Sequence, residues 1–162
     1  MKVLSRILSL VSDTINKIIE FVVVSLLLIL SALMVVAVFY RYVLNNSIYW
    51  SGEVSTILLV FISFLGSTVA YKHKAHVKID IFSKKLSEKN KKILNFIIEL
   101  SFCLFWVLVF LESLKLIPNF MFQTTATLEI PYAYFFSAVP ISALIWILHT
   151  LNEIINIVTG EK

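Results

Sequence analysis

Four apolar runs divide the chain, from Phe21 to Tyr40, Val54 to Tyr71, Ile93 to Ile117 and Tyr132 to Leu151. Each approaches the ~20 residues that a helix needs to cross a hydrocarbon core of about 30 Å. The pattern predicts an all-α membrane protein of one domain, with four transmembrane helices and little material outside the bilayer. Ahead of the first run, Val3, Leu4, Ile7, Leu8, Val11, Ile15, Ile18 and Ile19 recur near helical spacing, while Lys2, Arg6, Asp13, Asn16 and Lys17 take other faces. Such a segment predicts an amphipathic helix, either lying in the inner interface or extending the first span. The run after Phe21 is longer than a signal-peptide core and no small-x-small site precedes Arg41, so an uncleaved first span is expected.

Composition sets aside a water-soluble globular fold: 59% of residues are hydrophobic, 14% are aromatic and the mean hydropathy is +0.92. The net charge of +4 does not point to nucleic acid, because eight of the fourteen Lys and Arg fall between Lys72 and Lys92. Only Asp80 and Glu88 oppose them there, so the positive-inside bias makes this loop cytoplasmic and places both termini inside. The connections around residues 41–53 and 116–131 then face outward. Ile79, Phe82 and Leu86 alternate with the lysines at helical spacing, which predicts a loop segment on the membrane surface. Its lysines would meet anionic headgroups at about 1 kcal/mol each. His73 and His76 lie three apart in this region, but no Cys or carboxylate cluster completes a metal site around them.

The chemistry-bearing residues are few. Cys103 is the sole cysteine, which excludes thiol–disulfide exchange, and there is no phosphate loop, nucleophilic triad or histidine ladder for haem. No enzyme, cofactor or metal is expected. Of Gly52, Gly66 and Gly160 only Gly66 lies within a span, so broken carrier helices are not indicated and a compact, rigid bundle is expected. Pro118 and Pro131 stand at span ends and Pro140 is the expected kink. The first span carries no charge, whereas small multidrug-type carriers need a carboxylate there. Glu99 and Glu112 are the intramembrane carboxylates, one about 9 Å in from the inner end and one toward the outside. A charge at the bilayer centre costs on the order of 3 kcal/mol, so both should face protein or an interface, and Lys115 is placed to neutralise Glu112; structural roles are expected, with proton handling as the alternative. Arg41 ends the first span and Glu53 begins the second, so a tight outer hairpin would pair them, ringed by Tyr40, Tyr42, Tyr49 and Trp50; the alternative is that Arg41 snorkels to outer phosphates and Glu53 only starts a helix.

These residues carry a resemblance. Arg41-Tyr42-Val43 followed by Tyr49-Trp50-Ser51-Gly52-Glu53, then Phe64-Leu65-Gly66 with Ala70 and Lys72, resembles the small, DctQ-like membrane subunit of tripartite ATP-independent periplasmic (TRAP) transporters. His76-Val77-Lys78-Ile79-Asp80, Leu128-Glu129-Ile130-Pro131 and Val139-Pro140 continue the likeness through most of the chain. Ser51-Gly52 departs from it, because many relatives carry a second acidic residue beside the first.

The resemblance implies a bacterial inner-membrane importer in which a large multi-span subunit carries substrate and sodium and a periplasmic binding protein delivers an organic acid. This chain would be the scaffold subunit, packing against the large subunit and helping to dock the binding protein. Arg41, Trp50, Glu53, Gly66, His76, Asp80, Pro131 and Pro140 are then its assembly candidates. The alternative is a self-sufficient, oligomeric small carrier or channel. Ser63, Ser67, Thr68, Ser137, Ser142 and Ala143 suit helix contact, either with a partner or within the bundle.

Overall fold

The computed structural model describes residues 2–73 and 88–159. Those residues form helices α1 (Lys2–Tyr42), α2 (Ser51–Lys72), α3 (Glu88–Leu116), the short α4 (Ala133–Phe136) and α5 (Ala138–Thr159), with a 3-10 turn at Ile117–Phe120. Among the described residues there is no strand, only an isolated antiparallel bridge between Thr124 and Pro131. Four helical stretches are long and apolar enough to cross a membrane: Ser5–Tyr42, Ser51–Lys72, Asn90–Phe120 and Ala133–Thr159. The chain is a multi-pass membrane protein.

The amphipathic segment is not a separate helix. Nothing between Lys2 and Tyr42 is Gly or Pro, so the backbone ladder runs unbroken for 41 residues, which is about 60 Å at 1.5 Å per residue. That is twice a hydrocarbon core. Its first half is held on the bundle by a polar stripe, Ser5, Ser12 and Asn16, whose spacing of seven and four puts them on one buried face. The helix stops where Asn45 enters the left-handed region at φ 50° and the Asn46 N–H turns back to the Tyr40 carbonyl at 3.0 Å. The basic-loop residues 74–87, His76 and Asp80 among them, lie outside the described residues.

α5 is the central helix. It packs on α1, α2 and α3, whereas α2 and α3 scarcely meet each other. Ala138, Ser142, Ala143 and Thr150 are fully buried along it, small side chains that let neighbouring backbones approach. Ser142, Ala143 and Thr68 are therefore occupied within this chain's own bundle. Pro140 has no N–H for the Phe136 carbonyl, and the helix breaks one turn earlier, at Ser137, between α4 and α5. The expected compact bundle is instead an open one: α1 and α3 keep long apolar faces uncovered, among them Phe21, Val35, Leu104 and Leu108. An apolar face needs no partner helix when its solvent is hydrocarbon, so composition does not compel closure.

Candidate functional site: two polar clasps between the helices

Glu53 sits in the first turn of α2, but its carboxylate does not meet Arg41. Its Oε1 accepts the Thr127 N–H at 2.7 Å and its Oε2 accepts the Leu128 N–H at 2.9 Å. Two successive backbone donors present a concave anion site that one carboxylate fills with both oxygens, which is why they hold Glu53 where a flexible cation does not. The receiving loop is shaped for this. The Thr125 N–H reaches the Ile130 carbonyl at 3.0 Å, the Ile130 N–H reaches Thr125 Oγ1 at 3.2 Å, and the Tyr132 N–H reaches the Gln123 carbonyl at 2.8 Å. Glu129 takes the left-handed region at φ 54°, turning the chain between those bonds, and Pro131 closes it opposite Thr124. Phe120 stacks on Phe136 at 4.3 Å across the loop ends.

The expected Arg41–Glu53 pair is thus replaced by a side chain-to-backbone clasp joining α2 to the connection between α3 and α4. Arg41 lies 5.8 Å from the centroid of the Tyr42 ring and lines a shallow groove with Ser47, Ile48, Ser51 and Gly52. Trp50 precedes α2 and is partly exposed. Gly66 faces α1, where a Cβ would meet Val23 Cγ1 at 3.8 Å, an ordinary contact rather than a clash. Lys115 Nζ lies 2.7 Å from Glu112 Oε1 on the exposed side of α3.

The second clasp is at the other end of the bundle and draws on α1, α2, α3 and α5. Lys72 Nζ lies 2.8 Å from Asp13 Oδ1 and donates to Ser12 Oγ at 2.8 Å. Ser12 Oγ is in turn 2.8 Å from His149 Nδ1. The Tyr71 hydroxyl donates to the Glu99 carboxylate, so Glu99 reaches across to α2. Next to it Trp146 stacks on Trp106 at 5.0 Å and on Phe102 at 6.1 Å, meets Tyr71 at 4.6 Å and donates its indole N–H to Ser67 Oγ at 3.2 Å. His73 pairs with Glu20 of α1 at 3.3 Å.

Sequence reasoning did not assemble this cluster. It read Lys72 as one topology charge among eight and as part of the family pattern, and gave Ser12, Tyr71 and His149 no role in holding the helices. A signal existed in Asp13, the acidic residue on the polar face of the N-terminal segment, which is free to meet a cation at the same end of the bundle. What the two clasps do chemically is hold helices: each joins segments far apart in sequence at one end of the bundle. Among the described residues no three His, Cys, Asp or Glu side chains gather as metal ligands.

The chain is similar to named transport proteins over nearly its whole length. It is 25% identical over 150 residues to the sialic acid TRAP transporter small permease protein SiaQ of Vibrio cholerae, covering 93% of this chain and 87% of that one. It is 26% identical over 151 residues to the sialic acid TRAP transporter permease protein SiaT of Haemophilus influenzae, covering 91% of this chain but only 24% of that much longer one. The isethionate TRAP transporter permease protein DctMQ of Oleidesulfovibrio alaskensis is 27% identical over 95 residues, 57% of this chain and 15% of that protein. The family model of the DctQ component of tripartite ATP-independent periplasmic transporters matches residues 30–160, and the chain belongs to that family.

Proposed function

We propose that this chain is the small scaffold subunit of a sodium-driven TRAP importer of organic acids in a bacterial inner membrane. The observation that carries the reading is the family match across residues 30–160, that is, from the first span to the last. The two longer relatives support a separate large partner. This chain matches 24% of one and 15% of the other, whereas it matches 87% of the small permease protein SiaQ, which supports the reading of a small subunit beside a larger membrane protein. The uncovered apolar faces of α1 and α3 supply area for that partner, because interfaces between membrane helices are made by packing of apolar surfaces.

In this reading both termini are cytoplasmic, the basic-loop lysines other than Lys72 meet anionic headgroups, and the loop held by Glu53 faces the periplasm, where it helps to dock the substrate-binding protein. Arg41, free of Glu53, is available at that same outer end. Relatives named for sialic acid and isethionate support an organic-acid cargo in this reading.

Extraction of the tagged chain from native membranes in mild detergent, with mass identification of stoichiometric partners, tests this. A large multi-span protein is expected at one copy per chain. Recovery of this chain alone, as identical copies that conduct solute when reconstituted, would refute the scaffold role and establish the small carrier or channel in its place.

A further inference from the structure

Because α2 and α3 each pack on α5 and scarcely on each other, a cleft of about 700 Å³ lies between them, floored by α5. Phe64, Phe105, Trp106 and Trp146 line its apolar part, and His149 and Asn152 line it toward the Lys72 end. His149 and Asn152 are only 2% and 4% exposed, yet His149 Nε2 and Asn152 Oδ1 have no partner among the described residues, and neither has Trp106 Nε1. Buried polar groups left in this state are costly, and more so at membrane depth, where hydrocarbon cannot satisfy them.

Their depths identify what can. Trp106 stands 14 residues before Phe120, where the α3 span ends beside the Glu53 clasp. That is about 21 Å, so across a core of about 30 Å the indole N–H lies roughly 10 Å inside the opposite boundary. On α5, His149 and Asn152 follow Ala133 by 16 and 19 residues, which puts the first roughly 6 Å inside that boundary and the second close to it. The phosphate and ester oxygens of a lipid belong to the interfacial layer, so only its acyl chain reaches Trp106. An indole N–H can only donate, and it needs an acceptor carried to that depth on a backbone that satisfies its own hydrogen bonds, which in a bilayer is another helix. The α2 wall fits one: Thr68 is buried within the bundle, but Ser63 is exposed on the cleft, where a small side chain lets a second backbone approach.

We propose that the cleft seats a transmembrane helix of the large subunit, whose facing side carries a hydrogen-bond acceptor against Trp106 and a second polar side chain, about one turn further along, against His149 and Asn152. The three groups spread over roughly 8 Å of depth, about five residues of helix, so polar positions three or four apart on one face serve them. The proposal rests on the scaffold reading and adds to it which face of this chain meets the large subunit.

The test is photocrosslinking in native membranes with Ser63 replaced by benzoylphenylalanine, followed by extraction and mass identification of the product. A crosslink to the large multi-span protein that co-purifies is expected. Trp106→Phe keeps a ring against Trp146 and removes the N–H, so it should lower retention of the large subunit about threefold, which is one interhelical hydrogen bond's worth of affinity in a membrane. Ser63→Trp, which fills the cleft from its exposed wall, should abolish that retention. A crosslink to lipid alone or to a second copy of this chain, while a large subunit still co-purifies, would overturn the proposal and leave the scaffold reading standing. Undiminished retention in both Trp106→Phe and Ser63→Trp would do the same. A wild-type extract without any large subunit would refute the scaffold reading itself, and the proposal with it.

Discussion

Trp146 is the side chain on which the bundle's cohesion can be measured most directly. It is 3% exposed, contacts three rings from α2 and α3, and gives its indole N–H to Ser67. Replacement by Ala removes all four interactions. In a membrane the separated helices keep apolar surroundings, so the transfer term that dominates in soluble cores largely cancels and packing remains. Aromatic pairs at about 0.5–1 kcal/mol each and an interhelical hydrogen bond near 0.6 kcal/mol give a loss of about 2–4 kcal/mol for Trp146→Ala. Trp146→Phe keeps a ring between Trp106 and Tyr71 and forfeits the hydrogen bond and part of the stacking, so about 1 kcal/mol should be lost. Equilibrium unfolding in mixed detergent micelles, followed by tryptophan fluorescence and by accessibility of Cys103, reads both variants on one scale. Indistinguishable Ala and wild-type midpoints, or a Phe variant as damaged as Ala, would refute the reasoning that stacked rings, rather than generic lipid-like contact, join α3 to α5.

Other substitutions separate the remaining contacts. Glu53→Gln should speed hydrogen exchange at the Thr127 and Leu128 amides and lower co-purification of a large subunit, while Arg41→Ala leaves those amides as they are; faster exchange in the Arg41 variant would contradict the clasp. Ser12→Val strands His149 Nδ1 and one Lys72 donor, and should cost about 0.6–1.7 kcal/mol in the same unfolding assay; an unchanged midpoint would deny the inner clasp an energetic role. Gly66→Ala should be tolerated or stabilising by up to ~1 kcal/mol, because the added methyl meets Val23 at contact distance and Ala is the better helix former. Gly66→Leu, by contrast, should force α1 from α2, which a paired spin-label distance between the two helices would show.

The number of spans and the all-helical class were determined by the sequence, because a run of about 20 apolar residues has few alternatives once backbone groups must be satisfied without water. The turn positions were legible for the same local reason: Pro118, Pro131 and Pro140 act on their own backbone wherever they lie. What the sequence could not decide was which helix is central. Lipid-facing and buried positions are both apolar, so hydrophobic periodicity, which sorts inside from outside in water, carries no such information here. The choice of α5 rests on Ala138, Ser142, Ala143 and Thr150 meeting complementary faces, a property of several helices at once. The clasps show the same division. Charge spacing placed Arg41 and Glu53 at one depth, but tertiary structure turned Glu53 toward Thr127 and Leu128, because two fixed backbone donors outcompete one mobile guanidinium. Asp13 and Lys72 stand far apart in the chain and meet only because α1 continues unbroken past its apolar stretch and lies beside the end of α2.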